Sequence, residues 1–202
     1  MPQLVLATAN LAKAAELRAL LDGLAYDIRT VRDYPGLRLP PEGATSYAEN
    51  ARAKAQVTCA GTAAIALADD SGLEVDALEG HPGVASARYG GPDLTDAERV
   101  ARLLEALADA RSRAARFRCV LALVAPWGEE AIVEGVVDGL LPKRPRGAQG
   151  FGYDPIFLLP DRGRTFAELA PAEKGRLSHR AIAAGRARPI LARWAQRQTQ
   201  SA

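Results

Sequence analysis

The N-terminal half of the chain alternates between short apolar runs and segments with helical spacing. Residues 3–7 are a continuous apolar run, and Asn10 follows as an N-cap residue before a segment with helical spacing. Ser46 and Glu49 form the capping-box pattern that begins a second helix. These signals predict, in order, a strand, a helix, a strand and a helix over residues 3–7, 11–21, 26–31 and 47–58.

The next apolar run, residues 64–68, is followed by Asp69-Asp70-Ser71-Gly72, a sequence that favours a turn. The pattern predicts that a buried strand ends there and that a further extended segment begins at Leu73. Because successive side chains of an extended chain point to opposite faces, we expect only one of Asp69 and Asp70 to enter a given site. Such a turn also forms for purely local reasons, so this segment alone identifies no site.

The second half of the chain predicts a helix, a hairpin and a final helix. Thr95 and Glu98 form another capping box before an apolar helical stripe. Pro126-Trp127-Gly128 separates two β-rich runs, which indicates an antiparallel hairpin, and Ser178 is expected to cap a helix that is kinked or interrupted near Pro189. The protein is therefore predicted to be α/β with a mixed sheet, its hairpin strands lying over 117–125 and 131–137 and its last helix over 179–198.

Composition narrows the class of protein. With 202 residues and 48% hydrophobic content, the chain can bury a core as one domain or as two lobes. No apolar run approaches the roughly 18 residues of a membrane span, and a net charge of +2 argues against a general nucleic-acid binder. Cys59 and Cys119 lie among apolar residues, which favours free thiols over a metal site or disulfide. We expect a soluble, cytoplasmic protein without membrane or nucleic-acid partners.

Lysine is scarce in this chain. Of the 26 basic residues, four are lysine and the rest are arginine. A lysine ammonium suits a single phosphate oxygen, whereas arginine prefers planar two-point contacts. A lysine can also remain on a surface by chance, so each one needs a neighbouring signal before it indicates a phosphate site. The lysines are Lys13, Lys54, Lys143 and Lys174.

The turn over residues 8–13 leads from a strand into a helix and carries Lys13. Free backbone N–H groups and the positive end of the helix dipole attract an anion at such a turn. The Walker pattern for phosphate binding is absent from the sequence. An ordinary strand-to-helix connection is the alternative interpretation.

Carboxylates suited to a divalent cation lie on a loop and after the 64–68 strand. Glu42 precedes a helix on which Asn50 and Lys54 share one face. Glu42 and one aspartate of the pair at 69–70 would supply the few oxygen ligands that magnesium takes when water and phosphate fill the rest of its shell.

Near the C-terminus, glycines flank Phe151 in residues 150–155. They allow the backbone to approach a planar ligand closely while the ring stacks on it, which is typical of a base-binding loop. His179 lacks a second histidine or cysteine partner, so it fits a polar contact to a base edge, beside Arg180, better than a metal ligand. Together with the lysines and carboxylates, this loop indicates a site for a nucleoside triphosphate with magnesium.

As a set, these motifs resemble the inosine/xanthosine triphosphate pyrophosphatase family, the house-cleaning enzymes that hydrolyse deaminated purine nucleoside triphosphates. The matching motifs extend over nearly the whole chain and are Thr8-Ala9-Asn10 with Lys13 and Glu16, Glu42-Gly43, Glu49-Asn50-Ala51, Lys54-Ala55, residues 68–73, Pro82-Gly83, Ser86-Ala87-Arg88-Tyr89, residues 150–155, Lys174, and Ser178-His179-Arg180.

The resemblance implies an elongated, two-lobed α/β fold around a long mixed β-sheet with a central nucleotide cleft. It implies one pyrophosphatase domain over residues 1–202 and assembly as a homodimer. The implied reaction is magnesium-dependent hydrolysis of dITP, ITP and XTP to the monophosphate and pyrophosphate, which removes these nucleotides from the pool.

The resemblance also implies a role for individual residues. Asp70 would be the proton acceptor and a magnesium ligand, and Glu42 a further magnesium ligand. Residues of the 8–13 turn would grip phosphate, and those near the C-terminus would hold and read the base. The implied nucleotide contacts are Thr8, Ala9, Asn10, Leu11, Ala12, Lys13, Lys54, Ser71, Phe151, Gly152, Tyr153, Asp154, Lys174, His179 and Arg180.

The chain departs from the family pattern at Ala9 and Ala12, where the family usually has glycine, and at Gly175, where it usually has asparagine. Three other functions stay open at this point. The first is a related pyrophosphatase for pyrimidine or modified triphosphates, and the second is a nucleotide sensor that does not hydrolyse its ligand. The third, a nucleic-acid-binding protein, is disfavoured by the small net charge and few aromatic residues.

Overall fold

The computed structural model describes residues 1–43 and 46–200. Its α-helices are α1 (Leu11–Leu20), α2 (Tyr47–Thr62), α3 (Asp96–Ala106), α4 (Pro171–Leu177) and α5 (His179–Gln200). Its strands are β1 (Gln3–Leu6), β2 (Asp27–Thr30), β3 (Ile65–Val75), β4 (Ala114–Val124), β5 (Glu130–Leu140), β6 (Leu158–Leu159) and β7 (Arg164–Thr165). Within these residues, no helix is long and apolar enough to span a bilayer.

In the described residues the strands form one seven-stranded sheet in the order β2-β1-β3-β4-β5-β6-β7. In the N-terminal part, β1 pairs in parallel with both β2 and β3. Leu4 of β1 lies opposite Ile28 of β2 and Ile65 of β3. The C-terminal part is antiparallel, with Leu158 opposite Leu140 on one side and Thr165 on the other. The predicted α/β class and mixed sheet are confirmed.

Helix starts agree with the capping signals. Asn10 accepts hydrogen bonds from the N–H groups of Ala12 and Lys13, and Ser46 accepts one from Glu49. The second helix continues four residues past its predicted end at residue 58, although Gly61 lies in its last turn, because Cys59 is buried on that turn. Its C-cap is Ala63, which adopts a left-handed conformation with a φ of 52°.

The turn predicted at Asp69-Asp70-Ser71-Gly72 is wrong. β3 runs without interruption from Ile65 to Val75, so the two aspartates lie in the middle of a strand. The local preference of these residues for a turn is overridden, because pairing with neighbouring strands and burial of both faces stabilise the extended chain. Successive side chains still alternate between faces, so the expectation that Asp69 and Asp70 point apart does not depend on the turn.

The second-half elements are present, and the hairpin strands are longer than predicted. The Thr95–Glu98 capping box is present at the start of α3, and β4 and β5 are adjacent strands joined through the Pro126-Trp127-Gly128 turn. The final helix begins at His179, directly after Ser178, but the interruption expected near Pro189 is wrong: the helix continues to Gln200, because Ala187 and Leu191 on either side of the proline are buried in the core. The preceding helix, α4, was not predicted, although Pro171 at its first position is a usual start.

The chain divides into two compact units. Unit 1 comprises Met1–Asp70, Cys119–Gly135 and the segment from Arg180 onward, and unit 2 comprises Ser71–Arg118 and Val136–His179. Each unit has its own buried apolar cluster. The cluster of unit 1 includes Leu4, Leu67, Leu121, Leu191 and Trp194, and that of unit 2 includes Leu73, Leu103, Phe117, Phe157 and Phe166.

Candidate functional site

The turn after β1 in unit 1 is organised by its own side chains. Thr8 accepts a hydrogen bond from the N–H of Asn10 through its hydroxyl. The Asn10 side-chain oxygen Oδ1 in turn accepts from the N–H groups of Ala12 and Lys13 at 2.9 and 3.1 Å. Two of the backbone donors predicted to attract an anion are therefore already bound, and the positive charge of the turn is concentrated on the Lys13 ammonium.

Lys13 binds a carboxylate that is completely buried. Its Nζ lies 2.6 Å from Asp69 Oδ1, and Arg180 Nε lies 2.7 Å from Asp69 Oδ2. The Cys119 thiol donates to the same Oδ2 at 3.2 Å, and Arg180 also pairs with Glu16. Burial alone would raise the pKa of Asp69, but the charges of Arg180 and Lys13 outweigh it and hold that pKa well below its usual value.

Asp70, the next residue on β3, faces a different set of groups. Asn50 Nδ2 donates to Asp70 Oδ2 at 3.0 Å, and Lys54 Nζ lies 3.5 Å from Asp70 Oδ1. Burial raises the pKa of Asp70 above its usual value, against the opposing effects of Lys54 and Asn50. Because its pKa is raised, Asp70 accepts a proton more readily than an ordinary aspartate, which suits it to act as a base.

Lys54 connects three oxygen acceptors. Besides Asp70, its ammonium donates to Glu42 Oε1 at 2.7 Å and to the backbone carbonyl of Asp69 at 2.7 Å. Burial lowers the pKa of Lys54, but the negative charges of Asp70 and Glu42 outweigh it, so that the pKa is raised overall. Lys54 is therefore cationic at neutral pH and holds the two carboxylates close to one point.

These carboxylates fit a magnesium ion. In the part of the chain that the structure describes, no group of three or more His, Cys, Asp or Glu side chains is placed to hold a metal. Glu42 and Asp70 both contact the Lys54 ammonium, at 2.7 and 3.5 Å, so this side chain brings two carboxylates to one site. Magnesium needs only one or two carboxylates when waters and phosphates complete its octahedron, so this donor set suits it.

In unit 2, the glycine-flanked loop is built around the Asp154 carboxylate. Asp154 Oδ2 accepts from the N–H of Phe151 at 2.9 Å and from Lys174 Nζ at 2.5 Å. The Lys174 ammonium also lies 4.9 Å from the centre of the Phe151 ring. Gly150 has a φ of 77°, and a Cβ there would be 2.0 Å from Asp154 Oδ2, so only glycine fits.

The rest of this loop packs into unit 2. The Gly152 N–H donates to Asp96 Oδ2 at 2.7 Å, and the Tyr153 hydroxyl donates to the carbonyl of Ser86 at 2.9 Å. Tyr153 is buried, and burial raises the pKa of its hydroxyl. Tyr153 therefore also stabilises the core of this unit.

His179 and Arg180 are neighbours in sequence whose side chains have different environments. The His179 ring is buried in unit 2 and stacks on Phe117, with ring centres 4.5 Å apart. The Arg180 guanidinium is buried in unit 1 on Asp69 and Glu16. The base contacts implied for these two residues stay a prediction, as does the nucleotide contact of Ser71, which is partly buried on β3.

A family model matches this chain over residues 4–190 and describes the Ham1 family. The match covers nearly the whole chain. The chain belongs to the Ham1 family.

Curated Ham1-type relatives are similar over most of their length. The chain is 45% identical over 185 residues to a dITP/XTP pyrophosphatase of Geobacillus kaustophilus, covering 91% of each protein. It is 43% identical to a dITP/XTP pyrophosphatase of Bacillus licheniformis, covering 91% of this chain and 94% of that protein. Among solved structures, a HAM1 protein from Coxiella burnetii superposes with a TM-score of 0.87 and 42% identity, covering 95% of this chain and 98% of that one.

Two residues of this Ham1 chain make contacts that the sequence did not predict. Asp69 was a candidate only as the alternative to Asp70 for a magnesium ligand, and the structure shows that it binds the side chains of Lys13 and Arg180. Asp96 was recognised only as part of a helix start, although it binds the glycine-flanked loop at Gly152. An acidic residue at the first turn of a helix is common, so no sequence signal marked Asp96.

Proposed function

We propose that this chain hydrolyses the deaminated purine nucleoside triphosphates dITP, ITP and XTP to the monophosphate and pyrophosphate, with magnesium. The observation that carries the proposal is the group formed by buried Asp70 and Lys54 with the partly exposed Glu42, which combines a proton acceptor, a cation and a second carboxylate. Membership of the Ham1 family and the activity named for its dITP/XTP pyrophosphatase relatives support the same activity.

The phosphate end of the reaction is assigned to unit 1. Lys13 and Lys54 withdraw negative charge from the phosphate oxygens, which otherwise repel a nucleophile. Glu42 and Asp70 would hold magnesium, which would further neutralise the charge of the triphosphate. Asp70 orients a water molecule and accepts its proton while the water oxygen bonds to the α-phosphorus. The bond from that phosphorus to the bridging oxygen breaks, and its electron pair leaves with pyrophosphate.

The base end is assigned to unit 2. Phe151 offers a ring face for stacking, and Asp154 and Lys174 hold the backbone and charge around it. Hypoxanthine and xanthine carry a 6-oxo group, whereas adenine has an amino group at that position. A hydrogen-bond donor facing the 6-oxo group would be left unpaired by adenine, which costs about 1 to 3 kcal/mol. Selectivity against adenine therefore needs more than one such contact.

The assembly and location of the protein are also proposals. We infer a homodimer from the resemblance of the motifs to a family that usually forms one. We infer a cytoplasmic location because Cys59 and Cys119 are buried free thiols, which suit a reducing compartment. Light scattering of the purified protein measures its mass in solution, and a mass near 21.4 kDa, that of one chain, would exclude the homodimer.

A panel of triphosphates tests the activity. ITP, dITP, XTP, GTP, dTTP and UTP are incubated with the protein and magnesium, and monophosphate and pyrophosphate are separated by ion-exchange chromatography. We expect both products from the first three, and turnover of ITP at least about 100-fold lower in Asp70→Asn. Faster release of pyrophosphate from dTTP or UTP than from ITP, dITP and XTP would instead identify a pyrimidine pyrophosphatase. Tight ITP binding without products would identify a sensor.

A further inference from the structure

We propose that Asp96 is a positioning residue, whose carboxylate holds the glycine-flanked loop of unit 2 so that Phe151 presents its ring to the base. The inference rests on the proposed function, because it concerns the residue assigned to base stacking. It adds a residue that lies outside every motif used to recognise that function.

The hydrogen bonds on the two sides of Phe151 carry the argument. Its own N–H donates to Asp154 Oδ2 at 2.9 Å, and the N–H of the following residue, Gly152, donates to Asp96 Oδ2 at 2.7 Å. The first bond fixes the peptide group before the Phe151 Cα and the second fixes the peptide group after it. Because both flanking peptides are held, the direction of the Phe151 Cα–Cβ bond is held as well.

The two carboxylates differ in where they come from. Asp154 lies within the loop, so its hydrogen bond to Phe151 shapes the loop locally. Asp96 is the first residue of α3 and lies 56 positions before Gly152, so its hydrogen bond attaches the loop to a separate element. Lys174 and Ser86 attach Asp154 and Tyr153 to the unit, and the Asp96 bond attaches the peptide group that directly follows Phe151.

The start of α3 is itself firmly held. Thr95 and Glu98 cap the helix reciprocally, with the Glu98 carboxylate accepting from the Thr95 N–H at 2.8 Å. The buried guanidinium of Arg99 donates to the backbone carbonyls of Tyr89, Gly91 and Leu94 at 2.6 to 3.1 Å. Asp96 therefore lies at a helix start whose position is fixed, and its carboxylate can fix the position of the glycine-flanked loop through Gly152.

The hydrogen bond from Asp96 matters for this loop because its glycines can adopt many backbone conformations. Gly150 and Gly152 have φ values of 77° and 60°, so the chain on both sides of Phe151 uses residues with a wide conformational range. Asp96 is exposed, so its removal leaves no buried group unpaired and little of the fold depends on it. Loss of its carboxylate should therefore change the loop and spare the rest of the unit.

The test compares Asp96→Ala with Asp93→Ala, which removes the same charge from an exposed residue three positions earlier. We expect Asp96→Ala to raise KM for ITP about fivefold, with kcat within twofold of the parent, because a charge-assisted hydrogen bond is lost from a binding loop. We expect Asp93→Ala to change neither constant. Asp96→Asn keeps an acceptor oxygen and should restore most of the loss in KM.

Two further readouts separate positioning from general damage. Hydrogen exchange followed by mass spectrometry should be faster in the peptide containing Phe151 and Gly152 in Asp96→Ala, and unchanged in Asp93→Ala. Inhibition by inorganic triphosphate, which has no base, should keep the same inhibition constant in both variants. Faster exchange confined to this loop, with unchanged triphosphate inhibition, supports a role in base contact alone.

Failure of the inference differs from failure of the proposed function. If the parent hydrolyses ITP and Asp96→Ala has the same KM, the positioning role is overturned while the activity stands. An equal rise in KM in Asp93→Ala would mean that lost charge, and not the hydrogen bond to Gly152, is responsible, which also overturns it. If the parent hydrolyses none of the triphosphates, the proposed function falls, and the role of Asp96 in base contact falls with it.

Discussion

The ammonium of Lys13 lies 2.6 Å from Asp69 Oδ1, on a carboxylate whose side chain is completely inaccessible to solvent. The same carboxylate binds the buried guanidinium of Arg180. The lysine proposed to contact phosphate is thus held by Asp69, which is given no part in the proposed reaction. Asp69 keeps its negative charge between two cations, whereas its neighbour Asp70 contacts Asn50 and Lys54 and is the proposed proton acceptor.

The first prediction concerns the charge of Asp69. Asp69→Asn keeps the shape of the side chain but leaves the buried Arg180 with less negative charge around it, so the free energy of unfolding should fall by about 3 kcal/mol. Asp27→Asn makes the same change in an exposed pair with Arg29, whose side chains are 41% and 48% accessible, and should cost less than about 0.5 kcal/mol. Urea unfolding followed by circular dichroism measures both, and equal losses would contradict the assigned role.

A second prediction addresses the metal. Glu42→Gln removes one of the two carboxylate charges beside Lys54, so the magnesium concentration for half-maximal ITP hydrolysis should rise about tenfold or more. Glu105→Gln, on an exposed residue with 73% side-chain accessibility, is the matched control and should leave it unchanged. A magnesium titration of initial rates makes the comparison. An unchanged titration curve for Glu42→Gln would remove Glu42 from the metal site.

The alanine at position 9 provides a third prediction. Among the described residues, Ala63 and Glu79 are the non-glycine residues with positive φ, so Ala9 adopts an ordinary conformation. Glycine is therefore not needed there for the shape of the turn. Ala9→Gly should leave KM for ITP within about twofold and lower the free energy of unfolding by up to about 1 kcal/mol through added chain entropy. A large fall in KM would show that the turn does use the freedom of glycine.

The fourth prediction compares two glycines with similar positive φ values, where any substitution would strain the backbone. Gly150 and Gly163 both have positive φ, but a Cβ at Gly150 would be 2.0 Å from Asp154 Oδ2, whereas one at Gly163 has open space around it. Gly163→Ala should cost about 1 to 2 kcal/mol of stability from strain alone. Gly150→Ala should cost more and should also raise KM for ITP, because the bond from Phe151 to Asp154 is displaced. Similar effects of the two substitutions would show that the close approach is unimportant.

How much was predictable depends on the distance in sequence over which each interaction acts. The helix starts at Asn10 and Thr95 follow from residues two or three positions away, and both are present in the structure. The extended conformation of Asp69 depends on pairing with neighbouring strands and on burial, and its carboxylate binds Lys13 and Arg180, which lie 56 and 111 positions away. A local turn signal contains no information about such partners, and so the turn prediction there was wrong.

The site shows the same division. Asn50 and Lys54 were placed together by helix periodicity, and both contact Asp70. The hydrogen bond from Gly152 to Asp96 joins a loop to a distant helix, and neither residue type is unusual at its position. Helical periodicity in a sequence shows which residues share a face of one helix. Contacts between distant elements can be seen only in the folded structure.

The uninterrupted course of β3 limits which changes in chain length this protein can accept. β3 pairs in fixed register with β1, with Leu4 opposite Ile65 and Leu6 opposite Leu67. Deleting or inserting one residue before Asp69 would exchange the faces on which the two aspartates lie, so that each would meet the partners of the other. A change of two residues would restore the faces. Evolution of this strand is therefore expected to proceed by substitution or by paired insertions, and single-residue length variants should be found in the loops instead.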